Sequence, residues 1–392
     1  MEDEKTILLH SINILEKWIV DNKYKGYEPF DGLTSYLKPL TFNSLLFERI
    51  LQQTVRQSPI NLRPAFGVKK KDSTKGRGYM AKGYISMYQL TRKEIYKEKA
   101  VNCLDWLIKN KSPMYENYSW GNHFEYVSRG GRLPLYEPTI VWTSLIGQAF
   151  LDGFQAFHNN KYLDVAMSAC NWILNLSREK TDRGDCLSYV AFSQRSIHNS
   201  NMLGSALLAR TGNIVGNDTF ISIANKAMEY SCKRQRNDGS WYYGEEDKYH
   251  WVDNFHTGYN LDSLKCYMEF TNDQDFNSNL EKGLEYYVNN FFENDGTPKY
   301  YNNRKYPIDI QCASQAITTL SYFSENRREC IDVALKVALW TIKNMQDPEG
   351  YFYYRIYPLI KSKAPMIHWG QATMYRGLSS VLLKTNILQP LQ

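Results

Sequence analysis

The sequence predicts an all-α fold, an (α/α)6 toroid in which helical hairpins close into a ring, and three observations predict it. Helical segments low in charge recur six times, with anchor residues 53 to 61 positions apart. Amphipathic segments alternate with them, and strand signals are nearly absent. A repeat of this length is typical of stacked helical hairpins. An inner ring buried on most sides and an outer ring with polar exteriors account for both kinds of segment. An open solenoid of the same hairpins is the structural alternative.

The six inner segments are recognised by a polar or ring-bearing residue near the start of each one. These anchors are Arg77, Pro138, His198, His256, Asp309 and His368. The segments that follow cover 78–90, 139–157, 199–210, 257–270, 310–323 and 369–383. Their low charge predicts helices that are enclosed by neighbours on most sides.

The outer segments are amphipathic, and they begin near Glu94, Tyr162, Phe220, Phe276 and Cys330. Within 162–176 and 330–345, apolar residues recur at intervals of three and four, which predicts one buried stripe per helix. A helix over 4–20 would be the sixth outer helix, and a helix over 42–55 would be an extra one. The closed ring predicts a single domain over 1–392, in which residues 1–60 close or cap the ring.

Composition excludes several classes of protein. Of the 392 residues, 43% are hydrophobic and 22% charged, which excludes wholesale disorder. No apolar run is long enough to predict a transmembrane helix. The net charge of +6 is spread along the chain, so we expect no nucleic-acid partner. Seven scattered cysteines and a start without signal-peptide character predict a cytoplasmic location. Nothing calls for a cofactor, and the oligomeric state is left open.

The long loops that return to each inner helix are unusually aromatic. The five loops (111–137, 177–197, 237–255, 293–308 and 346–367) hold 105 residues, of which 22 are aromatic, whereas aromatic residues make up 14% of the chain. In a closed ring all inner helices run the same way, so these loops and six helix N-termini meet at one mouth. Aromatic loops at a mouth predict a site that stacks sugar rings, and the helix dipoles there favour an anionic ligand. Alternatively, the aromatic side chains only wedge the loops onto the rim.

Several motifs resemble those of known families. Residues 233–241, KRQRNDGSW, resemble the Q-x-x-x-G-x-W repeat of terpenoid-cyclase-like α/α toroids, and 346–352 is similar to a degenerate copy. The segments VDNFHTGY (252–259), DGTPKYY (295–301) and YPIDI (306–310) resemble an uncharacterised family associated with polysaccharide-biosynthesis genes. The resemblance implies the toroid superfamily of six-hairpin glycosidases, polysaccharide lyases and sugar epimerases, together with a glycan context. It implies no particular reaction.

Five residues are candidates for acid–base catalysis. Asp253 and His256 flank the start of the fourth inner helix, where His256 would move a proton and the carboxylate would orient it. Asp309 occupies the equivalent position in the fifth hairpin, and His123 and Glu125 lie in the first long loop. Pairs of these carboxylates would suit glycoside hydrolysis. The alternative for Asp253 and Asp309 is helix capping.

Candidate substrate-binding residues are aromatic platforms, arginines that would hold a carboxylate, and one histidine. They are Trp120, Tyr126, Arg129, Trp241, Tyr243, Trp251, Tyr301, Arg304, Tyr354, Arg355 and His368. An arginine fork binds a carboxylate through two hydrogen bonds, which favours a uronate-bearing ligand. Alternatively, each of these arginines forms a salt bridge that joins one loop to another.

These patterns predict a carbohydrate-active enzyme that acts on a uronate-bearing oligosaccharide or polysaccharide by hydrolysis, elimination or epimerisation. A non-catalytic glycan-binding or scaffold protein of polysaccharide assembly is the alternative. A prenyl- or terpenoid-handling enzyme is disfavoured because the inner-helix starts are polar and neither D-x-D-D nor D-D-x-x-D occurs. A zinc site built from His256, Asp309 or Cys312, and His368 is a further alternative.

Overall fold

The computed structural model describes residues 2–388, and they form two concentric rings of helices. The inner helices are α3 (Thr74–Thr91), α5 (Ile140–Phe157), α7 (His198–Val215), α9 (Asn254–Thr271), α11 (Ile310–Phe323) and α13 (Thr373–Leu388). The outer helices are α1 (Glu2–Asp21), α4 (Glu94–Lys109), α6 (Asn160–Leu174), α8 (Asp218–Cys232), α10 (Asn277–Asn290) and α12 (Glu329–Met345). The predicted all-α toroid is confirmed.

The ring is closed, so the open solenoid is excluded. Helix α13 packs against both α11 and α3, which joins the last inner helix to the first. Helix α1 lies outside α12 and α13, as expected for the sixth outer helix. The remaining helix, α2 (Leu45–Gln57), packs against the first loop hairpin rather than in either ring. A π-helical segment, Ile367–Ala372, leads into α13.

Capping side chains define where the inner helices begin. Ser73, Thr139, Asp253 and Asp309 each precede an inner helix, and each accepts a hydrogen bond from a backbone N–H in its first turn. Such caps satisfy amides that have no partner within the helix, and each is worth about 1 kcal/mol. The capping role expected as the alternative for Asp253 and Asp309 is therefore present.

The core fills the space between the two rings. It is one continuous cluster in which Leu104, Ala149, Leu207 and Val337 are among the fully buried side chains. All seven cysteines are free, and all but Cys266 are buried. Within residues 2–388 there is no helix that combines the length and the apolar character needed to cross a membrane.

Short strands brace the return loops at one mouth. Strand β1 (Tyr126–Ser128) pairs antiparallel with β2 (Gly131–Leu133), and β3 (Arg178–Thr181) pairs likewise with β4 (Gly184–Leu187). A three-stranded sheet joins β5 (Ile308–Asp309), β6 (Arg355–Ile356) and β7 (Lys361–Ser362) in that order. Residue Asp309 pairs with Arg355 across β5 and β6, which links the fifth hairpin to the last loop.

Four glycines explain the Q-x-x-x-G-x-W resemblance as a docking turn. Gly184, Gly239, Gly296 and Gly350 all have φ between +89° and +105°. At each one, a Cβ atom would lie 2.3–2.6 Å from the backbone of an outer helix. In the motif itself, Gln235 donates from Nε2 to the carbonyl of Gly239 at 2.8 Å. The glycine turn therefore packs four of the five return loops closely against an outer helix.

Replacement of Gly239 by alanine tests this device. We expect Gly239→Ala to lower the free energy of unfolding by about 1–2 kcal/mol for the left-handed backbone and by a further 1–3 kcal/mol because the Cβ atom meets the carbonyl of Lys282. Gly216 has φ +67° with open space around it, so Gly216→Ala should show only the backbone cost. Urea denaturation of both variants measures the difference, and equal losses would show that the close contact contributes nothing.

Candidate active site

A cavity of about 890 Å³ opens at the mouth where the inner helices begin. The first turns of four inner helices line it with Lys75, Trp142, Asn199 and His256, and the π-helical segment before α13 lines it with Trp369. The return loops and α2 complete its wall. The cavity therefore occupies the position predicted from the convergence of helix N-termini. A smaller cavity of about 370 Å³ lies at the opposite end of the ring.

The charge of the main cavity is strongly asymmetric. Eight cationic side chains line it: Arg49, Arg56, Lys75, Arg129, Arg195, Lys248, Arg304 and Arg355. Among the described residues only two carboxylates do so, Asp247 and Asp253. Because helix N-termini add partial positive charge at the same mouth, the cavity is suited to an anionic ligand.

Asp253 and His256 form the most ordered acid–base pair of the cavity. Asp253 Oδ1 accepts a hydrogen bond from the His256 backbone N–H at 3.0 Å, as the cap of α9. Its Oδ2 lies 2.7 Å from His256 Nδ1 and also accepts from Trp251 Nε1 at 2.9 Å. Asp253 is buried, whereas the His256 side chain is 21% exposed and lines the cavity. A buried carboxylate thus fixes the ring and leaves Nε2 for chemistry.

Aromatic side chains surround this pair. The ring of Tyr243 stacks on Trp251 with centroids 4.6 Å apart and planes at 14°, and it lies 4.6 Å from the His256 ring. The guanidinium of Arg129 is 5.1 Å from the Trp251 centroid, and that of Arg304 is 4.3 Å from Tyr301. Stacked rings beside arginines provide apolar faces for sugar C–H groups and cationic groups for acidic substituents.

A second group of titratable residues consists of Lys75 and His368, which line the floor of the cavity, and Glu28, which lies behind them. Glu28 contacts His368 Nδ1, and both side chains are buried. Burial raises the pKa of Glu28 to about 8, although Ser73 and Lys75 oppose the shift. Burial lowers the pKa of Lys75 to about 7, and the same cause, with the Lys75 charge, lowers the pKa of His368. Such clusters are typical of functional sites.

Three predicted acid–base residues lie outside the cavity lining. Asp309 is fully buried, where its Oδ2 pairs with Arg355 Nε at 2.5 Å and its Oδ1 accepts from Trp369 Nε1 at 2.8 Å. The Glu125 carboxylate pairs with Lys38. Burial and the Lys71 charge lower the pKa of His123 to about 3, which keeps its imidazole neutral. The structure does not place these three residues in the cavity lining with Asp253.

Three predicted binding residues are also part of the packing rather than of the cavity wall. The indole N–H of Trp120 donates to the Leu107 carbonyl at 3.0 Å, and that of Trp241 donates to the Ser231 carbonyl at 2.9 Å. Tyr354 is buried behind Arg355, 4.5 Å from its guanidinium. For these three the structure favours the alternative reading, in which aromatic residues wedge the loops onto the rim.

Ten of the predicted site residues line the cavity, and several lining residues escaped prediction. The ten are Asp253, His256, Tyr126, Arg129, Tyr243, Trp251, Tyr301, Arg304, Arg355 and His368. The missed ones include Lys75, Arg49, Arg56, Arg195 and Tyr259. The sequence did contain a feature that points to Lys75, because a lysine two residues before the anchor Arg77 is unusual at the start of a helix with so few charges. The i, i+4, i+7 spacing of Arg49, Gln53 and Arg56 on α2 was a second signal.

The zinc alternative lacks a ligand set. Within residues 2–388, no three histidine, cysteine, aspartate or glutamate side chains form a group able to hold a metal ion. Asp309 is already paired with Arg355, and His368 with Glu28.

Solved structures similar to this chain are α/α toroids. An unsaturated glucuronyl hydrolase specific for heparin has a TM-score of 0.65 at 11% identity, covering 98% of this chain and 97% of that chain. An α-mannanase of Bacteroides thetaiotaomicron has 0.62 at 11% identity, with 81% and 88% covered. Cellobiose 2-epimerase from Bacillus thermoamylovorans has 0.60 at 9% identity, with 80% and 88% covered.

These similarities define the class of the fold. The chain has the α/α-toroid architecture of those six-hairpin proteins, as the sequence motifs implied. No protein-family model and no curated protein matches the chain. The chemistry must therefore be argued from the site itself.

Proposed function

We propose that this protein is a carbohydrate-active enzyme that removes a proton next to the carboxylate of a uronate-bearing glycan, with elimination or epimerisation as the outcome. The observation that carries this proposal is the composition of the cavity wall, which has eight lysine and arginine side chains but only two described carboxylates, Asp247 and Asp253. One of these carboxylates, the buried Asp253, holds His256 in place. Polysaccharide biosynthesis, implied by the motif resemblance, and a cytoplasmic location, predicted from the cysteines, belong to the same proposal.

In the proposed reaction His256 Nε2 is the base. It takes the proton from the ring carbon beside the substrate carboxylate, and the electron pair of the broken C–H bond forms an enolate. Arginines of the wall, such as Arg304, neutralise the growing charge on the carboxylate oxygens. Asp253 holds the proton on Nδ1 and stabilises the imidazolium that forms. The enolate then either expels the oxygen substituent at the next carbon, as an alcohol once protonated, or regains a proton on its other face.

Hydrolysis by two carboxylates receives less support from the geometry. Such a mechanism needs one carboxylic acid and one carboxylate on either side of the scissile bond. Asp253 already engages His256 and Trp251, and Asp247 has a fully exposed side chain. The elimination and epimerisation readings therefore fit the described residues better.

Product analysis of the full chain tests the proposal. We expect turnover of glucuronate-containing oligosaccharides and none of matched neutral ones, with activity falling as salt screens the cationic cavity. Elimination appears as an unsaturated product with ultraviolet absorbance at unchanged total mass. Epimerisation in D2O appears as a product one mass unit heavier. Tight salt-sensitive binding without product would favour the non-catalytic glycan-binding protein, and cleavage by addition of water would favour hydrolysis.

A further inference from the structure

Lys75 occupies an unusual position at the floor of the main cavity. It lies in the first turn of α3, is 5% exposed and lines the cavity. Its Nζ atom faces three rings, with 5.6 Å to the centroid of Tyr79, 5.8 Å to Trp142 and 5.6 Å to Tyr259. In the part of the chain that the structure describes, no hydrogen bond to this amine is found. A buried amine without a partner is costly when charged, so the site favours a neutral amine or one paired with a ligand.

We propose that Lys75 is the second proton-transfer group of the site, and that it acts from the floor while His256 acts from the wall. This inference rests on the proposed function and deepens it. Both groups lie against Tyr259, since the His256 ring centroid is 6.3 Å and Lys75 Nζ is 5.6 Å from the Tyr259 centroid. Their separation therefore cannot exceed the sum of these distances, and both side chains line the same cavity.

The surroundings of Lys75 suit a group that gains and loses a proton near neutral pH. The titratable or charged groups that face it are Glu28, His368, Tyr79, Tyr259 and Arg376. Burial lowers the pKa of Lys75 to about 7, Glu28 opposes this shift and Arg376 adds to it. An acid–base group is most effective when its pKa lies near the working pH.

The chemistry balances without any co-reactant. After His256 has taken the C–H proton, the Lys75 ammonium gives one of its protons to the enolate carbon on the opposite face, or to the departing oxygen. Lys75 is then a neutral amine and His256 an imidazolium, so total charge is unchanged. A proton lost by His256 to water and one gained by Lys75 from water restore the starting state.

Amine labelling of the wild-type protein tests this inference independently of activity. Brief acetylation across a pH series, followed by peptide mass spectrometry, gives the midpoint at which Lys75 becomes reactive. The peptide with exposed Lys109 is the internal reference for the reagent. We expect a Lys75 midpoint near pH 7, against about 10.4 for an ordinary lysine, and slower labelling when a glucuronate disaccharide is present.

Two variants distinguish a proton-transfer role of Lys75 from a role in which only its positive charge matters. Lys75→Arg keeps the cation but does not release a proton, whereas Lys75→Met keeps the length without charge. If Lys75 transfers a proton, both variants lower kcat at least tenfold, Lys75→Arg leaves KM within a few fold, and the corresponding limb of the pH profile disappears. Full kcat in a folded Lys75→Arg variant overturns the inference, as does a labelling midpoint near that of an ordinary lysine. If instead the proposed function is wrong, the midpoint stays near 7 but acidic glycans give neither turnover nor protection.

Discussion

His256→Ala is expected to lower kcat on a uronate-bearing substrate by about 10²–10⁴-fold, the usual contribution of a positioned acid–base group. The substitution removes a cavity-lining imidazole that is 21% exposed and that the buried Asp253 carboxylate holds in place. Binding should change little, because the stacked Tyr243 and Trp251 rings and the arginines of the wall remain. Steady-state kinetics with a glucuronate disaccharide separates kcat from KM.

His250→Ala is the matched control for this prediction. His250 also lines the cavity, but its side chain is 37% exposed and its Nδ1 lies 3.7 Å from the solvent-exposed Asp247. It stacks on Tyr242 at 4.3 Å, and its Nε2 is engaged with the Glu245 carbonyl. We expect kcat of this variant to remain within a few fold of the wild type. Equal losses of kcat in both variants would instead mean that the two imidazoles contribute only to the electrostatic potential of the cavity. Full activity of His256→Ala would show that His256 is not the catalytic base.

The fold followed from the sequence because its signals repeat. Hairpin spacing and charge alternation occur six times, so a weak local signal becomes strong by recurrence. The boundaries at 140–157 and 310–323 agree with the prediction to within one residue. Helix α2 is not part of the repeat, and its side chains reach the cavity because α2 packs on the β1 strand of the first loop. The spacing of Arg49, Gln53 and Arg56 places them on one face of α2, but it does not show which part of the ring that face meets.

The site was harder to predict because equivalent positions of the repeat carry different chemistry. Asp253 and Asp309 both cap inner helices, and the local sequence does not distinguish them. The two residues differ in their partners. Asp253 bonds to its sequence neighbours Trp251 and His256 and lines the cavity, whereas Asp309 is buried by an ion pair with Arg355 from another loop. Partners supplied by residues 46 positions away cannot be assigned from spacing. The same limit applies to Lys75, whose environment comes from four separate segments.

Asp309→Ala is expected to lower the free energy of unfolding by about 3–5 kcal/mol. The reason is that Arg355, 2% exposed, would keep its charge in a buried site without its counterion. The same change removes the acceptor for the Trp369 indole at 2.8 Å and the cap of α11. Urea denaturation followed by tryptophan fluorescence measures the loss. Asp21→Ala is the control, because its ion pair with Lys17 is exposed on both sides and such pairs contribute about 0–1 kcal/mol.

The same variant decides between the two roles considered for Asp309. If Asp309 is structural, the double variant Asp309→Leu/Arg355→Met should regain much of the lost stability, because replacing both buried charges by apolar groups leaves neither one unpaired. Turnover by the folded fraction of the single variant should then fall far less than in His256→Ala, since Asp309 does not line the cavity. A variant that unfolds like the wild type but has lost turnover would return Asp309 to the catalytic set. The ion pair with Arg355 would then serve to hold a reacting carboxylate, and two-carboxylate hydrolysis would again be open.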